Sequence, residues 1–387
     1  MGLQSPQYYR PILCMVIAAS SMLAFSQIPG VETPSMGVWL PNSLALLTIY
    51  FPCHISNALL IEKYALGSSP QNSRTWEWNW RGAWMMLWNG RWIGTYKQPK
   101  DILPIDVDSS RRWLPLPINF PRPKSPRLIF IRNRILSLIE ISIIYYLHHI
   151  IMEVPHGYFA PLSIHDFSIS KQTYFRRLLP RSSSTLTSDL PTIRETQIRI
   201  YIVVHFIGFC YALFTFLYEI LAVAFVATGV DDPEDWPPFF GKLTEAYSIR
   251  NFWGKFWHKL IYRTYTSYGK VISIDVLRIP QKGILGRLFV NFFVFLSSGI
   301  VHQVVTRHLG LTCGYWLEDI SFFLANFAAI ILEMAVQNIF ERICRIARRT
   351  CPDHIKITVG YFWVFGFLFW SLPKLEYPKQ LCASRLE

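Results

Sequence analysis

Two histidines give this chain its clearest means of moving a proton. His302 sits inside the apolar stretch Phe295-Leu296-Ser297-Ser298-Gly299-Ile300-Val301-His302-Gln303, where an imidazole is costly enough in hydrocarbon to be a functional candidate. A neutral imidazole, with an ordinary pKa near about 6.5, can take a proton from a hydroxyl. The same ring could equally do no more than bond a carbonyl of a neighbouring helix. His258 closes the run Ala246-Tyr247-Ser248-Ile249-Arg250-Asn251-Phe252-Trp253-Gly254-Lys255-Phe256-Trp257-His258. It can donate a hydrogen bond to a developing negative charge, or be a helix-surface residue packed by Trp257. Arg250, Lys255, Lys259 and Arg263 are cations able to meet phosphates, whether of a ligand or of lipid headgroups.

These residues need elements to hold them. Pro237 and Pro238 stop any helix arriving from upstream, and Gly241 allows a turn. A helix is predicted from about Leu243 onwards, with Lys255, Lys259 and Arg263 on one face and Phe252, Trp253, Phe256, Trp257 and Leu260 on the other. Such an amphipathic helix suits a membrane surface.

A helix needs about 20 mostly apolar residues to cross a bilayer. Seven runs qualify as spans, approximately Pro11–Ser26, Val38–Leu60, Leu136–Met152, Ile200–Thr228, Leu288–Val305, Ile320–Phe340 and Ile355–Leu372, within a range of six to nine. The first also fits a signal peptide's basic and apolar regions, but it is read as a span, and the others anchor the chain in either case. Glu140, Glu219 and Glu333 fall within spans and are expected to pair with His148, His149 or His205 if they are not functional. The fold class is therefore an all-α, polytopic transmembrane helical bundle with an interfacial amphipathic helix, read as one membrane domain over 1–387.

The net charge of +13 suits a multi-span protein with basic cytoplasmic loops. With seven spans, 28 of the 38 Lys and Arg lie on the side of the N-terminus and 10 on the other. That asymmetry predicts a cytoplasmic N-terminus and places the loops around 61–134 and 229–287 on the same side. Trp76, Trp78, Trp80, Trp84, Trp88 and Trp92 mark a segment seated at the interface, and prolines from 104 to 126 mark a loop. Ser168–Glu195, rich in Ser, Thr and Arg, is expected to be mobile. The seven cysteines are scattered and odd in number, and imply no disulfide framework.

The motifs carry a resemblance. Ala246 to His258 is similar to a Ser-x-Arg-x-Phe-Trp-Gly-basic-x-Trp-His signature of wax synthase-like, membrane-bound O-acyltransferases, notably those of filamentous fungi. Trp236-Pro237-Pro238-Phe239-Phe240-Gly241 resembles the Trp-Pro-Pro element that precedes it. Arg81-Gly82 through Asn89-Gly90-Arg91-Trp92-Ile93-Gly94 resembles a third family segment, with a substitution where a second Gly often follows the Arg. Ser298-Gly299-Ile300-Val301-His302 fits the family's histidine segment, and the resembling core covers approximately 230–345. The resemblance implies that His302 is the general base for a hydroxyl attacking an acyl-CoA thioester, without a covalent acyl-enzyme. It implies for His258, where plant relatives commonly carry Asn, a hydrogen bond that polarises the thioester carbonyl or orients substrate. Arg250, Lys255, Lys259 and Arg263 would then meet coenzyme A phosphates.

On this reading acetyl-CoA is a co-substrate, no cofactor or metal is tightly bound, and the partners are a hydrophobic terpenoid or meroterpenoid alcohol and the lipid bilayer. Nucleic acid is not a partner, and the endoplasmic reticulum is the expected membrane. Long-chain wax ester synthesis is the rival within the class, and a transporter lined by intramembrane His and Glu the rival outside it. A di-iron enzyme would need clustered histidine boxes, and the ten histidines are dispersed.

Overall fold

The structure is a computed structural model that describes residues 9–28, 39–62, 84, 87–93, 98, 102, 125–153, 163–178, 190–280, 283–312, 317–347 and 352–383. Among the described residues there are helices and no strands. The long helices are α1 (Tyr9–Ser26), α2 (Trp39–Ser56), α3 (Pro126–Glu153), α4 (Ile193–Ala227), α5 (Tyr262–Val271), α6 (Ile284–His308), α7 (Glu318–Ile346) and α8 (Asp353–Ala383). Six helices among the described residues are long and apolar enough to cross a membrane: α1, α2 with its extension to Ile61, α4, α6, α7 and α8. The third expected span does form a helix, but α3 starts at Pro126 and takes Arg127, Arg132 and Arg134 into its first turns. Trp76, Trp78, Trp80, Arg81, Gly82 and Gly94 lie outside the described residues, as does the proline-rich stretch 103–124.

The chain divides into two compact units. The first comprises Met1–Trp92, Lys259–Ile343 and Lys374–Glu387; the second comprises Ile93–His258 and Cys344–Pro373.

In the first unit α1 packs on α2, α2 on α6, and α5 on α6. Pro52 lies inside α2, where it removes a backbone donor. The helix then widens into a π-helical turn over Asn57–Ile61. A side chain added at Gly299 would lie 2.9 Å from the Ile320 Cα, so α6 and α7 approach backbone to backbone. Small residues at helix crossings permit such an approach.

In the second unit α3 and α4 run antiparallel. Arg127 donates to the Val226 carbonyl at 3.0 Å, and Arg134 meets Glu219 two turns further on. Thr192 caps α4, its hydroxyl accepting the Glu195 N–H at 3.2 Å. The part of Ser168–Glu195 that is described does not fit the expected mobility. Residues 163–178 form short 3₁₀ turns and one helical turn, tied to α4 by Arg194 to Asp166 at 2.6 Å and by Arg177 to Glu195. The Arg194 guanidinium holds the Asp166 carboxyl below the usual carboxylate range. Arg199, fully buried, donates to the Phe369 carbonyl at 2.9 Å and to the Lys171 carbonyl at 2.6 Å. The reason for the difference is that buried ion pairs supply the order that composition does not advertise.

The cysteines also differ from expectation. Cys14, Cys53, Cys210 and Cys344 are free, but Cys382, near the end of α8, is disulfide-bonded.

Candidate active site

The run from Leu243 to Arg263 is not one helix. A 3₁₀ turn at Leu243–Glu245 is followed by a helical turn at Ile249–Asn251, with the buried Ser248 as its cap, accepting the Asn251 N–H at 3.0 Å. The chain then winds as a π-helical turn over Phe252–Phe256 and leaves helical geometry at Trp257, whose ψ is 155°. The cause is the Trp-Pro-Pro loop. Gly241 donates its N–H to the Phe256 carbonyl at 2.8 Å, occupying the acceptor that a continuing helix would need. A side chain at Gly241 would lie 1.9 Å from the Lys255 carbonyl oxygen, so no larger residue fits there. Helix resumes only at Tyr262.

Lys255, Lys259 and Arg263 therefore do not share the expected helical face. Lys255 pairs with Glu245 at 3.0 Å, both about two-fifths exposed at 41% and 42%. Lys259 is buried in the break. Arg263 pairs with Glu62 at 2.7 Å within the first unit, and Ser267 donates to the same carboxylate. Arg250 is exposed.

His258 belongs to the second unit and is walled by aromatic rings. Phe239 stacks on it at 5.5 Å and 29°, and Phe214 of α4 meets it edge-on at 5.5 Å and 84°. Phe240 and Trp257 complete the wall at 6.0 Å and 5.7 Å. Such packing fixes both the plane and the rotation of the imidazole.

His302 belongs to the first unit and has a different setting. It is half-buried on α6, stacked on Phe323 of α7 at 5.0 Å and 29°. A charged cluster lies in the same unit. Asp319 is 1% exposed and meets Lys379 of α8 at 3.3 Å; Lys379 meets Glu376 at 3.4 Å. The Asp319 N–H donates to Gln303 Oε1 at 3.2 Å, joining α7 to the residue after His302. Sequence reasoning missed Asp319 and Lys379, which fall just outside the apolar runs Ile320–Phe340 and Ile355–Leu372 and are paired only by the fold.

The third motif is partly described. Trp92 donates its N–H to the Asn89 carbonyl at 3.0 Å and adopts a φ of 56°, the left-handed region that non-glycine residues avoid. A side chain at Gly90 would lie 2.2 Å from the Tyr50 hydroxyl, which itself donates to the Leu260 carbonyl at 3.0 Å. Tyr50 thus joins α2, this turn and the break after His258 within the first unit.

Of the three glutamates, Glu219 pairs with Arg134 at 2.5 Å. Glu140 and Glu333 are buried. His205 stacks between Tyr201 and Phe209 on its own helix, and the side chains of His148 and His149 lie outside the described set. Among the described residues, no group of three His, Cys, Asp or Glu side chains could hold a metal ion.

Residues 236–325 match the Membrane bound O-acyl transferase family. Over 160 residues the chain is 34% identical to acetyltransferase atnC of Arthrinium sp, covering 41% of this chain and 36% of that one. Acetyltransferase nanB of Aspergillus nanangensis is 34% identical over 171 residues, covering 44% and 40%. Acetyltransferase ataH of Aspergillus terreus is 32% identical over 162 residues, covering 42% and 52%. The chain spans about a third to a half of the length of these curated relatives. No solved structure matches. The resemblance carried by the motifs is thus borne out: this is a helical membrane chain similar to fungal acetyltransferases, whose family match, 236–325, contains both His258 and His302.

Proposed function

We propose that this protein is a membrane-embedded O-acyltransferase that moves acetyl from acetyl-CoA to a hydroxyl of a hydrophobic terpenoid or meroterpenoid. The observation that carries this reading is the family match at 236–325, since it spans both histidines and the loop that walls one of them. Acetyl as the transferred group is supported by the names of the relatives, and an apolar acceptor by the number of apolar helices.

In the proposed reaction His302 takes the proton of the acceptor hydroxyl as its oxygen attacks the thioester carbonyl. The carbon–sulfur bond then breaks, coenzyme A leaves as thiolate, and the His302 proton returns to that sulfur, so no acyl-enzyme forms. Asp319 and Lys379, tied to the residue after the base through Gln303, are the charged groups of its unit nearest to it in the hydrogen-bond chain. For His258, held by its aromatic wall within the second unit, the proposed part is that of a hydrogen-bond donor to an oxygen that gains negative charge. Arg250 and Lys255 are the proposed cations for coenzyme A phosphates, a role supported by their exposure. Lys259 and Arg263 keep that assignment only if the nucleotide displaces their present surroundings.

The endoplasmic reticulum is the proposed membrane. A disulfide at Cys382 calls for an oxidising compartment at the C-terminal end of α8. With α6, α7 and α8 each crossing the membrane, an oxidising compartment at Cys382 would leave the loop that carries Lys255 on the cytosolic side, and the charge asymmetry supports the same reading. The test is expression in a host membrane with labelled acetyl-CoA and a panel of terpenoid alcohols, followed by mass analysis for one added acetyl group. Absence of acetyl transfer to every alcohol in membranes that contain the folded protein would overturn the reading.

A further inference from the structure

Pro237 and Pro238 have no N–H, so the loop they occupy cannot hold itself by a regular backbone ladder. Its carbonyls are held from outside by α3 and α4. Arg134 of α3 donates through Nη2 to the Trp236 carbonyl at 2.6 Å, and the Tyr218 hydroxyl of α4 donates to the Pro237 carbonyl at 2.7 Å. The other arm of the Arg134 guanidinium, Nη1, reaches Glu219 at 2.5 Å, with side chains 14% and 6% exposed, and the guanidinium lies 4.7 Å over the Phe130 ring. A buried ion pair between two apolar helices is expensive, and by itself adds little stability. Its fork geometry explains its presence better: one planar cation serves a carboxylate and a loop carbonyl together. The Tyr218 ring also lies 4.9 Å from Trp236 and 5.0 Å from Phe239. Phe239 is the ring that stacks on His258, while Phe214, one helical turn before Tyr218, meets the same imidazole edge-on.

We propose that Arg134 and Tyr218 are positioning residues for His258: they pin the Trp236 and Pro237 carbonyls, and so hold Phe239 against the imidazole, with Glu219 fixing the guanidinium. The inference rests on the reading in which His258 serves acetyl transfer, but its first test does not use turnover. Purified protein in detergent is treated with diethyl pyrocarbonate, and modification of each histidine is followed by peptide mass analysis. Tyr218→Phe, which removes one oxygen, should raise the labelling rate of His258 about two- to tenfold, the range expected from one lost hydrogen bond. His205, on the same helix, should label at its former rate, and the melting temperature should stay within a degree or two. Arg134→Lys should act in the same direction, because an ammonium lacks the guanidinium's planar fork. An unchanged His258 rate in both variants, or an equal rise at all histidines, overturns the proposal.

The second test measures acetyl transfer to farnesol in membranes. Tyr218→Phe should lower kcat about two- to tenfold with little change in KM for acetyl-CoA, and should lower it no further in a His258→Ala background. Full multiplication of the two effects would overturn the positioning role while leaving the acetyltransferase reading intact. If the wild type transfers no acetyl to farnesol or to any other alcohol, that reading fails alone, and the labelling result still decides the packing claim.

Discussion

The two histidines are set in opposite kinds of surroundings. His302 is stacked on Phe323, and its neighbour Gln303 leads to the ion pair of Asp319 and Lys379, which extends to Glu376. His258 is enclosed by Phe214, Phe239, Phe240 and Trp257, and its neighbouring loop is pinned by Arg134 and Tyr218. A hydrogen-bond donor to a developing oxyanion needs a fixed direction, and the aromatic wall suits that task; a base must reach the acceptor hydroxyl, and the half-buried His302 suits that one. The division of labour proposed for the reaction follows from that contrast.

The largest expected effect is at His302. His302→Ala should lower kcat by roughly 10²–10⁴ with acetyl-CoA binding retained, and His302→Gln should not restore it, since an amide cannot act as a base near neutral pH. Wild-type turnover in an inserted His302→Ala protein would break the comparison at its centre. Next comes the charge cluster itself. Lys379→Ala leaves Asp319, 1% exposed, beside Glu376 without its cation. Breaking such a buried pair costs about 3–5 kcal/mol, visible as a large fall in melting temperature in detergent, and Lys379→Arg should lose less. An unchanged melting temperature would show that the surroundings of His302 are not electrostatically strung together. Third is His258, where Ala should cost about 10²–10³ in kcat, the usual worth of one oxyanion donor. His258→Asn should retain more activity than His258→Ala, because an amide still donates. Equal losses would mean that the aromatic wall holds a proton carrier and not a donor.

The long apolar spans were legible because a bilayer demands about 20 apolar residues in a row, and α4, α6, α7 and α8 lie where those runs fall. The two histidines were legible through their motifs. The path of the chain between Trp257 and Tyr262 was not, because the interruption comes from a Gly241 N–H donated to Phe256 from fifteen residues upstream, and helical periodicity carries no trace of it. Glu219 was singled out as a costly intramembrane charge, but its partner Arg134 lies 85 positions away and becomes visible only once α3 and α4 pair. Asp319 and Lys379 escaped for the same reason. The order in 163–178 escaped because ion pairs are set by geometry, while a Ser, Thr and Arg-rich composition suggests a loop whatever the partners.

The smallest effects belong to the cations at the edge of the aromatic region, and they separate surface charges from structural ones. Lys255 and Glu245 are 41% and 42% exposed, so their pair is worth about 0.2–1 kcal/mol, and Lys255→Gln should scarcely move the melting temperature. Arg263 differs: its Glu62 partner is only 10% exposed and also accepts from Ser267, so Arg263→Gln should cost stability more clearly than it alters substrate binding. If Arg250 and Lys255 meet coenzyme A phosphates, replacing either by Gln should raise KM for acetyl-CoA by no more than about fivefold, with kcat less affected, because a phosphate contact binds ground and transition states alike. Raising the salt concentration should shrink that difference, since exposed charges are screened over roughly 8–10 Å at ordinary ionic strength. A KM that stays at the wild-type value in the Arg250→Gln, Lys255→Gln double variant at low salt would assign both cations to lipid headgroups, and would leave the aromatic wall around His258 without a nucleotide-binding rim.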